Sequence, residues 1–287
     1  MRLRSLLFVP GDSERKFARA ERSGADALIL DLEDAVAPSE KAKARGMAAS
    51  LTSRAETRPF LLFVRVNALE TGLTLADLAA VVGPGLDAVM IPKADGPDDV
   101  ARIGFWLDAL EIKAGMAAGS VKLAVVATET ARAMFALGRY APPHPRLLAL
   151  TWGAEDLSAA LGATDNKEAD GAWTFPYALA RAQCLFAAAA AEVAAIDTVF
   201  VDFRDAEGLE RDCGRSRCDG FQGRLAIHPD QIETINRAYA PSEAEIDEAR
   251  RIVAAFEADP GRGAFALDGR MIDAPHLKAA RRTLASI

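Results

Sequence analysis

The segment Ala27-Leu28-Ile29-Leu30-Asp31-Leu32-Glu33-Asp34 is apolar without alternation and then turns acidic. A strand with one wet face alternates apolar and polar residues. An unbroken apolar run therefore predicts a strand covered on both faces, as in a parallel sheet flanked by helices. Similar short runs lie at Leu3–Val9, Leu61–Val66, Ala88–Ile91, Lys122–Val126, Leu147–Thr151, Thr198–Val201 and Arg224–Ile227. The segments Ser13–Ser23, Lys41–Arg54, Thr74–Val82, Pro97–Ala114, Thr130–Leu137, Pro176–Ala195 and Glu207–Cys218 have helical patterns. This alternation predicts a (β/α)8 barrel; an open doubly wound sheet is the other arrangement that the order permits.

A chain of 287 residues suits one barrel of about 250 residues with an addition. Residues 1–229 are assigned to the barrel and 230–287 to a C-terminal helical extension. In the extension, Asp230–Tyr239 and Ser242–Asp259 read as helices, the second opened by Ser242 with Glu245 at capping-box spacing. Hydrophobic residues make up 51% of the chain and the net charge is −7. That allows a large core, and its sign disfavours general nucleic-acid binding. No apolar stretch reaches the ~18 residues that mark a membrane span. The first apolar run ends at Pro10-Gly11 without a signal-cleavage pattern. A cytoplasmic chain with no membrane partner is expected, and Cys184, Cys213 and Cys218 read as reduced thiols.

Barrel enzymes carry their chemistry where the strands end. Here those ends are polar: Asp31, Glu33 and Asp34 after the second strand, Arg65 and Asn67 at the third, Lys93 after the fourth, Glu129 after the fifth, and Gly153-Ala154-Glu155-Asp156 after the sixth. Glu129 and the Glu155-Asp156 pair offer carboxylate oxygen, with no histidine or cysteine at metal-ligand spacing nearby. An oxygen-only donor set suits Mg2+, with Mn2+ as a substitute. Carboxylates after strands also cap helices, so Asp156 has a structural reading too. Gly153-Ala154 would let backbone N–H groups approach a carboxylate, or would simply make a tight turn. Arg65 is read as a group for a substrate carboxylate or oxyanion, with Asp31, Glu33 and Asp34 as available protein partners. Lys93 is expected in a charge network with Asp31 or Glu33 rather than as a Schiff-base amine.

Taken in order, Arg4-Ser5-Leu6-Leu7-Phe8-Val9-Pro10-Gly11, Asp31-Leu32-Glu33-Asp34-Ala35-Val36 with Lys41 and Arg45, Val64-Arg65-Val66-Asn67, Ile91-Pro92-Lys93, Thr128-Glu129-Thr130, Gly153-Ala154-Glu155-Asp156, Ala226-Ile227-His228-Pro229 and Gly269-Arg270-Met271-Ile272-Asp273-Ala274-Pro275 span the chain. This series resembles the citrate lyase beta-subunit family within the HpcH-HpaI aldolase superfamily, including malyl-CoA and citramalyl-CoA lyases. The resemblance implies a TIM barrel of the phosphoenolpyruvate-binding type, assembled as a homotrimer or hexamer. It implies Glu129 and Asp156 as metal carboxylates, Arg65 as the substrate arginine, and the Gly153–Glu155 backbone as the holder of a keto-acid carboxylate. It also implies that Asp273, in the extension, enters a neighbouring subunit's active site. The chain departs from the family after the Val-Pro-Gly turn, where Asp12-Ser13-Glu14 stand in place of an arginine seen in several acyl-CoA lyases. Lys16 and Arg19 remain nearby as candidate contacts for coenzyme A phosphates, or as a solvated helix face.

The resulting expectation is a Mg2+-dependent lyase that cleaves or forms a β-hydroxyacyl thioester, such as malyl-, citramalyl- or citryl-CoA. Its partners would be an acyl-CoA or acyl-carrier thioester and a small 2-keto acid. Three other readings compete: an aldolase acting on free hydroxy-keto acids, a malyl thioester hydrolase, and a noncatalytic carrier-binding subunit. Aldolases of related families use a histidine near the second strand, and no histidine precedes His144 here.

Overall fold

In a computed structural model, which describes residues 2–55, 57–259, 261 and 263–285, parallel strands close into a barrel in simple sequential order. They are β1 Ser5–Pro10, β2 Ala27–Asp31, β3 Leu61–Arg65, β4 Ala88–Ile91, β5 Lys122–Val126, β6 Leu147–Thr151, β7 Ala194–Asp197 and β8 Gly223–Ala226. β1 pairs with both β2 and β8, which closes the cylinder and leaves no barrel edge. Each residue of β2 is buried, as its unbroken apolar run requires. Alternate residues fill the interior, among them Leu6, Ile29, Phe63, Met90, Val126 and Ile196. Burying each larger side chain contributes about 1.5–3 kcal/mol.

The outer layer consists of α1 Glu14–Ala20, α2 Lys41–Thr52, α3 Thr74–Val81, α4 Pro97–Lys113, α5 Ala154–Leu161, α6 Phe175–Ala190 and α7 Ala206–Asp219, followed by α8 Ile232–Tyr239. Two stretches differ from the sequence expectation. The helix expected over Thr130–Leu137 is instead two short 3-10 turns, Ala133–Phe135 and Leu137–Tyr140. Thr130 Oγ1 accepts the Ala133 N–H at 3.0 Å, starting a tight turn, and Pro142-Pro143 lie just beyond. The seventh strand lies at Ala194–Asp197 rather than Thr198–Val201. Its alanines read as a continuation of α6 because alanine is the best helix former. The helix actually stops when Glu192 turns left-handed at φ 55°, with Glu192 N–H returning to Ala189 O and Val193 N–H to Ala188 O. That is a Schellman closure without its usual glycine.

The chain divides into two compact units, one running Leu3–Ala238 and the other beginning at Tyr239. The second contains α9 Glu243–Ala258, a hairpin of β9 Ala264–Leu267 and β10 Arg270–Asp273, and α10 Ala274–Ala285. Ser242 and Glu245 form the reciprocal capping box that opens α9. Asp268 and Gly269, at φ 50° and 78°, make the hairpin turn, the Asp-Gly pair that two-residue hairpins favour. Ala249, Ile252, Ile272 and Ala280 form this unit's own small core. Among the described residues, no helix is long and apolar enough to cross a membrane.

Candidate active site

The carboxyl ends of β2 to β6 bring their charged residues to one barrel mouth. Asp31 and Arg65 are partners in the β2–β3 register, so their side chains leave the barrel side by side. Arg65 Nε and Nη2 donate to the two oxygens of Asp31 at 2.8 and 2.6 Å. Arg65 Nη1 lies 3.1 Å from Glu33, and the guanidinium sits 4.7 Å above the Phe8 ring. Burial works against this charge, but the bonds and negative charges of Asp31 and Glu33 outweigh it and raise the Arg65 pKa. Asp31 also accepts the N–H groups of Glu33 and Ala35 at 2.8 and 3.0 Å, folding the acidic loop over the strand end. Lys41 Nζ donates to the carbonyls of Leu32 and Glu33, both at 2.7 Å, and fastens that loop from outside.

Lys93 follows β4 in a left-handed conformation, φ 49°. That unusual backbone aims its N–H at Glu129, 2.5 Å away, while its ammonium meets Glu33, Asp34 at 2.9 Å and Asp156 at 3.2 Å. The network is wider than the sequence expectation of Asp31 or Glu33: Lys93 bridges the acids of β2 to those after β5 and β6 and does not reach Asp31 through a bond. Burial would lower the amine's pKa, but its bonds to Glu33 and Asp34 hold it raised and charged. A persistently protonated amine is a poor Schiff-base nucleophile.

Glu129 is the site's most strained charge. Burial and the charges of Asp156 and Glu33, opposed by the Lys93 N–H and the Arg65 charge, together push its carboxyl up to about 8. Gly153 fits against it so closely that a Cβ would lie 2.7 Å from Glu129 Cγ. Only glycine permits the β6–α5 turn to pass there. Gly153 precedes the first turn of α5 and supplies no side-chain cap, which leaves the Ala154 and Glu155 N–H groups facing the helix entrance. Asp156, in that first turn, caps nothing; its cap reading is not what the structure shows. Glu155 accepts from Asn166 at 3.1 Å. Among the described residues, no three His, Cys, Asp or Glu side chains form a ready metal cage. Two oxygen donors, one of them a carboxyl whose ionisation an added positive charge would favour, fit a hard divalent cation that completes its shell with water and substrate.

Lys16 and Arg19 do not join this cluster. They line a separate cavity of about 300 Å³ with Arg15, His228 and Phe8. Arg19 pairs with Asp230 at 3.1 Å, and Ser13 caps α1 by accepting the Lys16 N–H at 3.4 Å. Phe8 belongs to both places, under Arg65 and on the cavity wall. Asp273 lies in the second unit at the end of β10, its Oδ1 2.6 Å from His276 Nδ1.

Sequence reasoning passed over Phe8, an apolar residue inside a strand, and Asp77. Asp77 is buried, accepts from Asn67 N and Nδ2 at 2.8 and 2.6 Å and from Arg45 Nε at 2.8 Å, and so fixes the β3 loop. An acid on the apolar face of the predicted helix Thr74–Val82 was the available signal.

Residues 4–229 match the HpcH/HpaI aldolase/citrate lyase family. A (3S)-malyl-CoA thioesterase of Cereibacter sphaeroides is 36% identical over 98% of this chain and 93% of that protein. The mitochondrial citramalyl-CoA lyase of Homo sapiens is 32% identical over 98% of this chain and 84% of that protein. The structure of protein CitE from Mycobacterium tuberculosis, in complex with magnesium, acetoacetate and coenzyme A, is 35% identical. It matches with a TM-score of 0.75 over 99% of this chain and 97% of that one. With the barrel, the polar strand ends and near full-length similarity in agreement, this chain belongs to the HpcH/HpaI aldolase/citrate lyase family.

Proposed function

We propose that the protein is a Mg2+-dependent carbon–carbon lyase that cleaves or forms a β-hydroxyacyl thioester, giving an acyl thioester and a 2-keto acid. The observation that carries this reading is the meeting of Arg65, Lys93, Glu129, Asp156 and the uncapped start of α5 at one mouth. Glu129 and Asp156 would hold the metal, which when bound lowers the pKa of a coordinated hydroxyl and polarises a carbonyl. The Gly153–Glu155 backbone would hold the keto-acid carboxylate, Ala154 and Glu155 through their N–H groups and Gly153 through the close approach its missing side chain allows, aided by the helix dipole. Arg65, already oriented by Asp31, would stabilise the thioester enolate oxygen. Asp31, Glu33, Asp34 and Lys93 hold these groups in place. Lys16 and Arg19 line the cavity proposed for the phosphates of coenzyme A. Asp273, reaching the mouth of a neighbouring subunit in a homotrimer or hexamer, would exchange a proton with the acyl α-carbon.

A second reading, hydrolysis of the thioester, is favoured by the similarity to (3S)-malyl-CoA thioesterases. One experiment separates the two. Malyl-, methylmalyl-, citramalyl- and citryl-CoA are each incubated with Mg2+ and the products identified by mass. Acyl-CoA plus a 2-keto acid establishes the lyase, free hydroxy acid plus coenzyme A the hydrolase, and no turnover of any substrate rejects both.

A further inference from the structure

Asp197, the last residue of β7, is a buried carboxylate that the chemistry proposed above does not use. It accepts from Trp152 Nε1 at 2.6 Å, Ser216 Oγ at 2.5 Å, Arg181 Nη2 at 2.9 Å, Arg224 Nη2 at 3.2 Å and the Thr198 N–H at 2.9 Å. Burial favours its neutral form, but the charges of Arg224 and Arg181 outweigh that and hold its pKa below the usual carboxylate range. An ionised acid bonded at once to Trp152 just beyond β6 and to partners in α6, α7 and β8 is a rigid anchor, since any shift breaks a charge-assisted bond in a low-dielectric layer.

Trp152 is what this anchor holds nearest the site. It is fully buried and stands between Thr151, the end of β6, and Gly153. Its ring also packs edge-on against Trp173, with centroids 4.9 Å apart. Gly153 can carry no side chain because Glu129 occupies the space. Its own N–H is held only by Thr128 Oγ1, at 3.2 Å. Apart from that bond the turn has no side chain of its own at Gly153, so the side chain beside it, Trp152, is the one that can fix its orientation.

We infer that Trp152 and Asp197 are positioning residues: the Nε1–Asp197 bond sets, from behind the barrel wall, the turn that aims the first α5 N–H groups and Asp156 into the mouth. The consequence for Mg2+ binding rests on the proposed function; the consequence for the backbone does not. Trp152→Phe tests both. It keeps an aromatic ring, removes the indole N–H together with part of the buried ring volume, and leaves Asp197 its other donors; wild-type exchange in α6 and α7 checks that the barrel stays folded. In the metal-free protein, the α5 amides of Leu157–Leu161 should exchange with deuterium on the order of 10-fold faster, with α6 and α7 at wild-type rates. In calorimetry with Mg2+ alone, half-saturation should rise on the order of 10-fold, as for other outer contacts of metal ligands. Unchanged α5 exchange, or equal acceleration in α6 and α7, overturns the inference. Faster α5 exchange in a protein whose wild type binds no Mg2+ leaves the positioning role intact and sinks the metal reading instead.

Discussion

Two buried clusters of acids and arginines use the same residue types and come out opposite. At the amino end of β6, Glu111 and Arg146 pair through two bonds, 2.7 and 2.6 Å. The same Glu111 oxygens accept the Val121 and Gly119 N–H groups at 2.7 and 2.8 Å. Burial disfavours the Glu111 charge, but Arg146 and these two N–H groups outweigh it and lower its pKa. At the carboxyl end of β5, Glu129 has one N–H donor and two acidic neighbours, and its pKa rises to about 8. One cluster is closed and the other is left wanting a cation. This contrast matches the usual division of barrels, stability at the amino face and chemistry at the carboxyl face, and so accords with the proposed site.

The sharpest way to break the comparison is to open the closed cluster. Glu111→Gln leaves the buried Arg146 only the half-exposed Asp108 as counter-charge and should cost about 3 kcal/mol. Thermal unfolding would show it as a large fall in Tm, with turnover per folded molecule unchanged. A loss of turnover without a loss of stability would erase the distinction.

At the mouth the effects should reverse. Asp156→Asn is expected to reduce turnover on the order of 1000-fold, about 4 kcal/mol, with Tm little changed because the weakened Lys93 pair offsets the relieved repulsion with Glu129. Mixing this variant with inactive Asp273→Asn, under verified subunit exchange, should restore activity if Asp273 serves a neighbour. Absence of recovery would place the acid within its own chain or outside the reaction.

A smaller loss, on the order of 100-fold, is expected for Arg65→Lys. Lysine keeps the charge but cannot grip both Asp31 oxygens and still present a flat donor face to an enolate. Near-normal kcat/KM in this variant would reduce Arg65 to a source of diffuse charge.

The pH response is the mildest test. A carboxyl at about 8 in the folded protein and near 4.5 when unfolded binds more protons folded than unfolded between those values. Stability of the metal-free protein should therefore fall as pH rises through that window. Each kcal/mol lost across the window should appear as a fall of about 2–4 °C in Tm. Glu129→Gln should flatten it, and a slope that survives the substitution would belong to another group.

Much of this was readable from local order. The unbroken apolar runs announced strands covered on both faces, and acids, Arg65 and Lys93 placed just after them announced the mouth. Both signals survive in one dimension because a parallel barrel puts every strand's carboxyl end on the same side. Where local signals conflicted, reading failed. The alanines of β7 looked helical because intrinsic propensity favours helix, and only pairing with β6 and β8 makes them a strand. The segment after β5 was periodic enough for a helix, yet Thr130 bonds to Asp95 at 2.7 Å and turns the chain early.

The sequence by itself determined the barrel, the edge at which charge gathers and the family. Each follows from residue type and order along the chain. Only the tertiary structure decided which charges are satisfied. Glu111 and Glu129 are the same residue type in sequence, and what separates them is the number of N–H groups and cations brought within 3 Å by segments 8 to 36 residues away. Asp197 likewise gains its meaning from Trp152, Arg181, Ser216 and Arg224. A buried charge is stabilised or left in demand by its surroundings in space, and those are set when the barrel closes.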